Sequence, residues 1–105
     1  MLKNEVKKIV KKYAEILADN GFVFSGIYLF GSYAKRLARA DSDIDVAVIV
    51  KNLNNNNYWS KKTLLWRLAS QADARIEPVL IDERDFKTNG TQIACEAKKD
   101  GERVV

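Results

Sequence analysis

The chain reads as an α/β protein, α+β in detail, with a small mixed sheet and helices packed on it. Three observations lead there. Segments with helical periodicity alternate with short runs of branched and aromatic residues, the order expected when helices cover a sheet. One of those runs, Val46 to Val50, is apolar without interruption and reads as a strand. The connections between runs are punctuated by Gly, Asn and Asp, residues that favour turns and helix ends. With 105 residues, 47% of them hydrophobic, the chain is expected to form one domain over 1–105 with a genuine core.

Residues 3–19 predict the first helix. Val6, Ile9, Val10, Tyr13, Ile16 and Leu17 make one apolar stripe, leaving Lys7, Lys8, Lys11 and Lys12 for the wet side. Asp19-Asn20-Gly21 is a stop signal, because Gly accepts the left-handed conformation that often closes a helix. Ile27 to Phe30 predicts a buried strand, and Gly31-Ser32 a tight turn into a short helix from about Tyr33 to Ala38, with Ser32 able to cap it. Asp41-Ser42 is turn chemistry before a second strand, Ile44 to Val50. Asn52 and Asn54 to Asn57 form a polar connection. Leu64, Leu65, Leu68, Ala69 and Ala72 then mark a helix from Tyr58 to Gln71. Trp66 is expected to be buried with it, while Tyr58 and Trp59 flank its start. Arg75 to Ile81 predicts a third strand, Gln92 to Lys98 a short helix, and Glu102 to Val105 a last extended piece.

Composition narrows the chemistry. There are no histidines, which removes the commonest zinc ligand and the usual general base, so catalysis must rest on carboxylates, hydroxyls, lysines or a bound metal. Cys95 is alone. It excludes an internal disulfide, fits a reducing compartment and is expected to pack as a small residue. No apolar run approaches the ~20 residues of a membrane span, and the charged start lacks an apolar leader segment. Cytoplasmic localisation is expected. Eighteen basic against 14 acidic residues give a net charge of +4, a mild leaning toward anionic ligands such as nucleotides or RNA.

The most informative stretch is Gly31-Ser32, ten residues, then Asp43-Ile44-Asp45 running into Val46 to Val50. Strand side chains alternate between faces, so Asp43 and Asp45 would project from one side, their Cα atoms roughly 6.5–7 Å apart. On the third strand Glu77 shares a face with Arg75, Val79 and Ile81, and it would join the aspartates if that strand neighbours the second. Like charges at ~4 Å repel by about 4 kcal/mol at an effective dielectric near 20, which a proton or a divalent cation must offset. Oxygen-only donors favour Mg²⁺ or Mn²⁺. The Gly31-Ser32 turn supplies the complement: backbone N–H groups and a hydroxyl that can cradle phosphate oxygens, with Lys35, Arg36 and Arg39 close behind as phosphate contacts or as a solvated helix face.

On these residues the chain resembles the nucleotidyltransferase superfamily of DNA polymerase β, whose palm-like fold would then be expected here. Its small size resembles the minimal nucleotidyltransferase branch, typified by antitoxins paired with HEPN toxins. Gly31 to Val50 carries the likeness; Glu77 and Ile93-Ala94-Cys95-Glu96 match more loosely. Arg36 stands where these proteins often have a glycine, and Glu77 where they usually have Asp. The resemblance implies that Gly31 and Ser32, helped by Lys35 and Arg36, hold the phosphates of a nucleoside triphosphate. It implies that Asp43, Asp45 and Glu77 bind Mg²⁺ or Mn²⁺, with Asp45 bridging and Glu77 helping to activate an acceptor hydroxyl. The implied reaction transfers AMP from ATP to a macromolecular hydroxyl, a HEPN-like toxin being the acceptor and partner, with a homodimer or hetero-oligomer completing the site. Two other functions remain open: an antitoxin that occludes its toxin without catalysis, and an enzyme modifying RNA ends.

Overall fold

The first helix, α1 (Lys3–Asp19), forms where its apolar stripe dictates, burying Val6, Val10, Tyr13, Ala14 and Leu17. It ends in a paired cap. Phe22 N–H donates to Leu17 O at 2.9 Å and Gly21 N–H to Ala18 O at 3.0 Å, with Gly21 at φ +76°. Phe22 and Leu17 also share the core, the contact that usually accompanies this cap. The structure, a computed structural model, describes residues 3–34 and 42–105.

Four strands follow: β1 (Gly26–Phe30), β2 (Ile44–Val50), β3 (Ile76–Asp82) and β4 (Glu102–Arg103). They form one mixed sheet in the order β3-β2-β1-β4. β1 runs antiparallel to both β2 and β4, whereas β2 and β3 are parallel. The parallel pair is joined through α2 (Tyr58–Ala72), the crossover that parallel neighbours require. The sheet has two unlike faces. On one, α1 and α2 bury Ile27, Leu29, Ile44, Val46, Val48, Val50 and Ile76 in a large core. Tyr13 reaches across this layer, its hydroxyl donating to Leu65 O at 2.7 Å. On the other, α4 (Gln92–Asp100) lays Ala94 and Ala97 over Phe30, Ala47, Ile49 and Ile81. Burial on both sides is why β2 reads as an unbroken apolar run after Asp45.

The expected elements appear within a residue or two, and three differences are informative. A further helix, α3 (Glu83–Thr88), follows β3 directly. Asp82 caps it, its carboxylate accepting from Arg84 N–H at 2.8 Å, and also accepts from Leu53 N–H at 3.0 Å. The signal was present: Asp82 followed by Glu83 and Asp85 is an N-terminal pattern, but six residues without an apolar repeat carry no helical period. Secondly, Trp66 is not buried. It is 45% exposed and Trp59 is 68% exposed, because the core face of α2 is set by Leu65, Leu68 and Ala69 and Trp66 falls beside that face. Thirdly, residues 31–34 form a turn; the rest of the short helix expected from Tyr33 to Ala38 lies outside the described residues.

Candidate active site

β1 ends at Phe30 just where β2 begins, and the register aligns Phe30 with Asp45 and Asp45 with Glu77 across three strands. The condition for Glu77 to join the aspartates, that β3 neighbours β2, is met. Alternation puts Asp45 on the side of Ala47 and Ile49, and Glu77 on the side of Val79 and Ile81. Both therefore stand on the thinly covered face, at the end of the sheet where its polar side chains are half-buried (Asp45) or exposed (Glu77). Asp43 is exposed and precedes β2 by one residue. Its direction is set by the incoming loop as well as by strand alternation.

Gly31 follows Phe30 and so arrives against Asp45. Its φ is +70°, and a Cβ built there would overlap Asp45 Oδ2 and lie 2.9 Å from Cγ. Two independent constraints thus demand glycine: the left-handed backbone and the closeness of the carboxylate. Ser32 is half-buried in the same turn and Tyr33 is buried beneath it. Lys35, Arg36 and Arg39 lie outside the described residues.

Asp45 is the electrostatic focus. Burial, then the nearby charges of Glu77, Asp43 and Glu96, push its pKa up from 3.8 to about 6. None of Asp43, Asp45 and Glu77 forms an ion pair with a described cation. Arg75, which precedes β3 and could have neutralised Glu77, forks onto Asp73, with Nη2 to Oδ2 at 2.8 Å and Nε to Oδ1 at 3.0 Å. Glu96 is the residue that sequence reasoning passed over as a site group. It sits on α4, exposed, and its charge reaches Asp45 only because Ala94 and Ala97 bring that helix down onto the sheet.

Among the described residues, no three His, Cys, Asp or Glu side chains converge on one point as a finished metal cage. The donor chemistry nevertheless fits a hard divalent cation. The groups are all carboxylate oxygens, no described cation pairs with them, and Asp45 already shows the cost of that crowding. No helix of the described residues is long and apolar enough to cross a membrane.

A family model described as "Polymerase beta, Nucleotidyltransferase" matches residues 4–105. The protein adenylyltransferase MntA of Shewanella oneidensis is 37% identical over 78 residues, covering 73% of this chain and 52% of that protein. The chain spans about half the length of the curated relatives it matches. Among solved structures, a chain of a toxin–antitoxin complex with AMP-PNP superposes at a TM-score of 0.58 and 29% identity, covering 94% of this chain and 72% of its own. A chain of the tri-AMPylated Shewanella oneidensis HEPN toxin in complex with MNT antitoxin gives 0.55 and 26%, covering 99% and 72%. A glycine turn pressed on a carboxylate row, within a mixed sheet matched along nearly its whole length, leaves one assignment: the chain belongs to the polymerase β nucleotidyltransferase family.

Proposed function

We propose that residues 1–105 form a single nucleotidyltransferase domain that moves AMP from ATP to a hydroxyl of a partner protein. The observation that carries this reading is the row Phe30–Asp45–Glu77, which sets the Gly31-Ser32 turn against Asp45 and Glu77 on the neighbouring strand beside it. The N–H groups of the turn and the Ser32 hydroxyl hold the β- and γ-phosphates, and Lys35 and Arg36 add positive charge toward them. Asp43, Asp45 and Glu77 hold Mg²⁺ or Mn²⁺. When bound, that cation offsets the crowded carboxylate charge, polarises the reacting phosphoryl group and favours pyrophosphate departure.

The chain's own contribution is alignment and proton management. The turn would hold the triphosphate beside Asp45, with Glu77 on the adjoining strand available to the acceptor. The acceptor oxygen attacks that phosphorus, the bond to the bridging oxygen breaks, and pyrophosphate leaves with the electron pair. Glu77, exposed and one methylene longer than an aspartate, takes the hydroxyl proton. Phe30 and Ala47 keep the floor of the site dry.

The acceptor is a tyrosine-type hydroxyl on a HEPN-like toxin. Support comes from the adenylyltransferase name of the Shewanella relative and from the AMPylated toxin in a matched complex. A cytoplasmic location would suit that pairing. The test is incubation with labelled ATP, Mg²⁺ and the α-helical protein encoded beside this one. Label on that neighbour, lost with Asp45→Asn, supports the proposal; no transfer from any of the four nucleotides overturns it. If Asp45→Asn still neutralises the toxin, occlusion without chemistry is the better account.

A further inference from the structure

We infer that this domain carries a second ligand site, for a nucleoside phosphate, at the end of the sheet opposite the carboxylates. A cavity of about 850 Å³ opens there, within the size range of small-molecule sites. Tyr28, Ile49 and Phe86 line it, and the rings of Tyr28 and Phe86 meet with centroids 4.8 Å apart, tilted by 45°. Both rings are half-buried, so aromatic surface remains open to a flat ligand.

The same cavity is lined by four cationic residues, Lys51, Lys61, Lys87 and Arg103, against one carboxylate, Glu83. Glu83 is already engaged: Ser25 Oγ donates to it at 2.8 Å and Lys87 Nζ lies 2.7 Å away. Arg103 is held over the mouth by its own bonds, Nη2 to Ser25 O at 3.2 Å and Nε to Val105 O at 2.9 Å. Lys51 and Lys61 form no ion pair among the described residues. An open aromatic surface beside a net positive rim suits a planar base joined to a phosphate, the base against Phe86 and Tyr28 and the phosphate toward Lys51 and Lys61. Neither an apolar ligand nor bare phosphate would use both halves.

The site is separate from the proposed triphosphate position. Ile49 lies four positions along β2 from Asp45, roughly 13 Å, and Ala94 and Ala97 of α4 pack on the sheet between the two ends. It owes nothing to the catalytic reading, and its test needs no divalent cation.

Titration of the ¹⁵N-labelled protein with AMP in EDTA, followed by amide shifts, is the experiment. Shifts are expected at Ser25, Tyr28, Ile49, Lys51 and Phe86, with weaker responses to adenosine and to inorganic phosphate. The same shifts are expected in Asp45→Asn, with or without Mg²⁺. Lys51→Ala with Lys61→Ala, both at solvent-accessible positions, should weaken binding about tenfold or more while the spectrum stays folded. A 5′-phosphorylated short RNA binding far better than AMP would assign the site to an RNA end; AMP binding equally well assigns it to the free nucleotide. Absence of shifts at millimolar AMP, an equal response to phosphate alone, or loss of the shifts in Asp45→Asn would overturn the inference.

Discussion

The two faces of the sheet are built on opposite principles. Under α1 and α2 the layer is dry and wide, filled by Val, Ile and Leu side chains with the Tyr13 hydroxyl paired to Leu65 O. Under α4 the cover is thinner, two buried alanines with Ile93 and Phe86 beside them, and Asp45 and Glu77 stand at its margin with no described cation paired to them. One face holds the molecule together; the other gives up stability to keep carboxylates accessible. The contrast shows how a 105-residue chain can combine a core with a candidate site: β2 borders both, and alternation sorts its residues between them.

The sharpest way to break the contrast is Asp45→Asn. Nucleotidyl transfer should fall by about a thousandfold or more, roughly 4 kcal/mol of transition-state stabilisation, read as label transferred to the partner protein. Wild-type activity in the variant would remove Asp45 from the chemistry. Next is Leu65→Ala on the dry face, where a fully buried side chain should cost ~2–5 kcal/mol in urea unfolding. Trp66→Ala, one residue along and 45% exposed, should cost clearly less. Equal losses would mean that the two sides of α2 are not as different as their burial.

Gly31→Ala falls between the faces. The left-handed backbone and the overlap with Asp45 together predict a loss of about 1–3 kcal/mol, accompanied by weaker ATP binding. Gly21→Ala shares the positive φ but meets nothing within 4 Å, so it should cost ~1 kcal/mol and leave ATP binding alone. If the two variants bind ATP alike, the closeness of Gly31 to Asp45 has no functional weight.

The smallest effect has the most diagnostic sign. Asp45 in the folded protein has its pKa raised to about 6 from the usual 3.8, so the folded state holds its proton more tightly than the unfolded chain. Its stabilising contribution is full below pH ~4 and is lost as pH rises through about 6. Asp45→Asn should therefore match the wild type near pH 3.5 and be more stable at pH 8 in EDTA. After discounting for a partly solvated group, the gain is on the order of 1 kcal/mol. Mg²⁺ should narrow the gap by stabilising the wild type alone. A variant less stable than wild type at pH 8 in EDTA would contradict the crowding that sets Asp45 apart.

Much of this was legible in the sequence because the relevant signals are local. The stripe of α1, its Gly21 stop, the run Ile44 to Val50 and the carboxylates beside a Gly-Ser turn depend on periodicity and residue type over short spans. The missed elements had no such period. α3 is a six-residue helix started by a cap, and Trp66 sits at the edge of a leucine face where one residue of rotation decides burial. What only the tertiary structure decided is which distant groups meet. Parallel pairing sets Glu77 beside Asp45, the backbone of Gly31 closes on the same carboxylate, and α4 brings Glu96 within reach of it. Local sequence chooses the elements and their faces, because those preferences act between near neighbours. Strand order and register are settled by burying both sides of β2 at once, and only that burial turns separated acidic residues into one electrostatic unit.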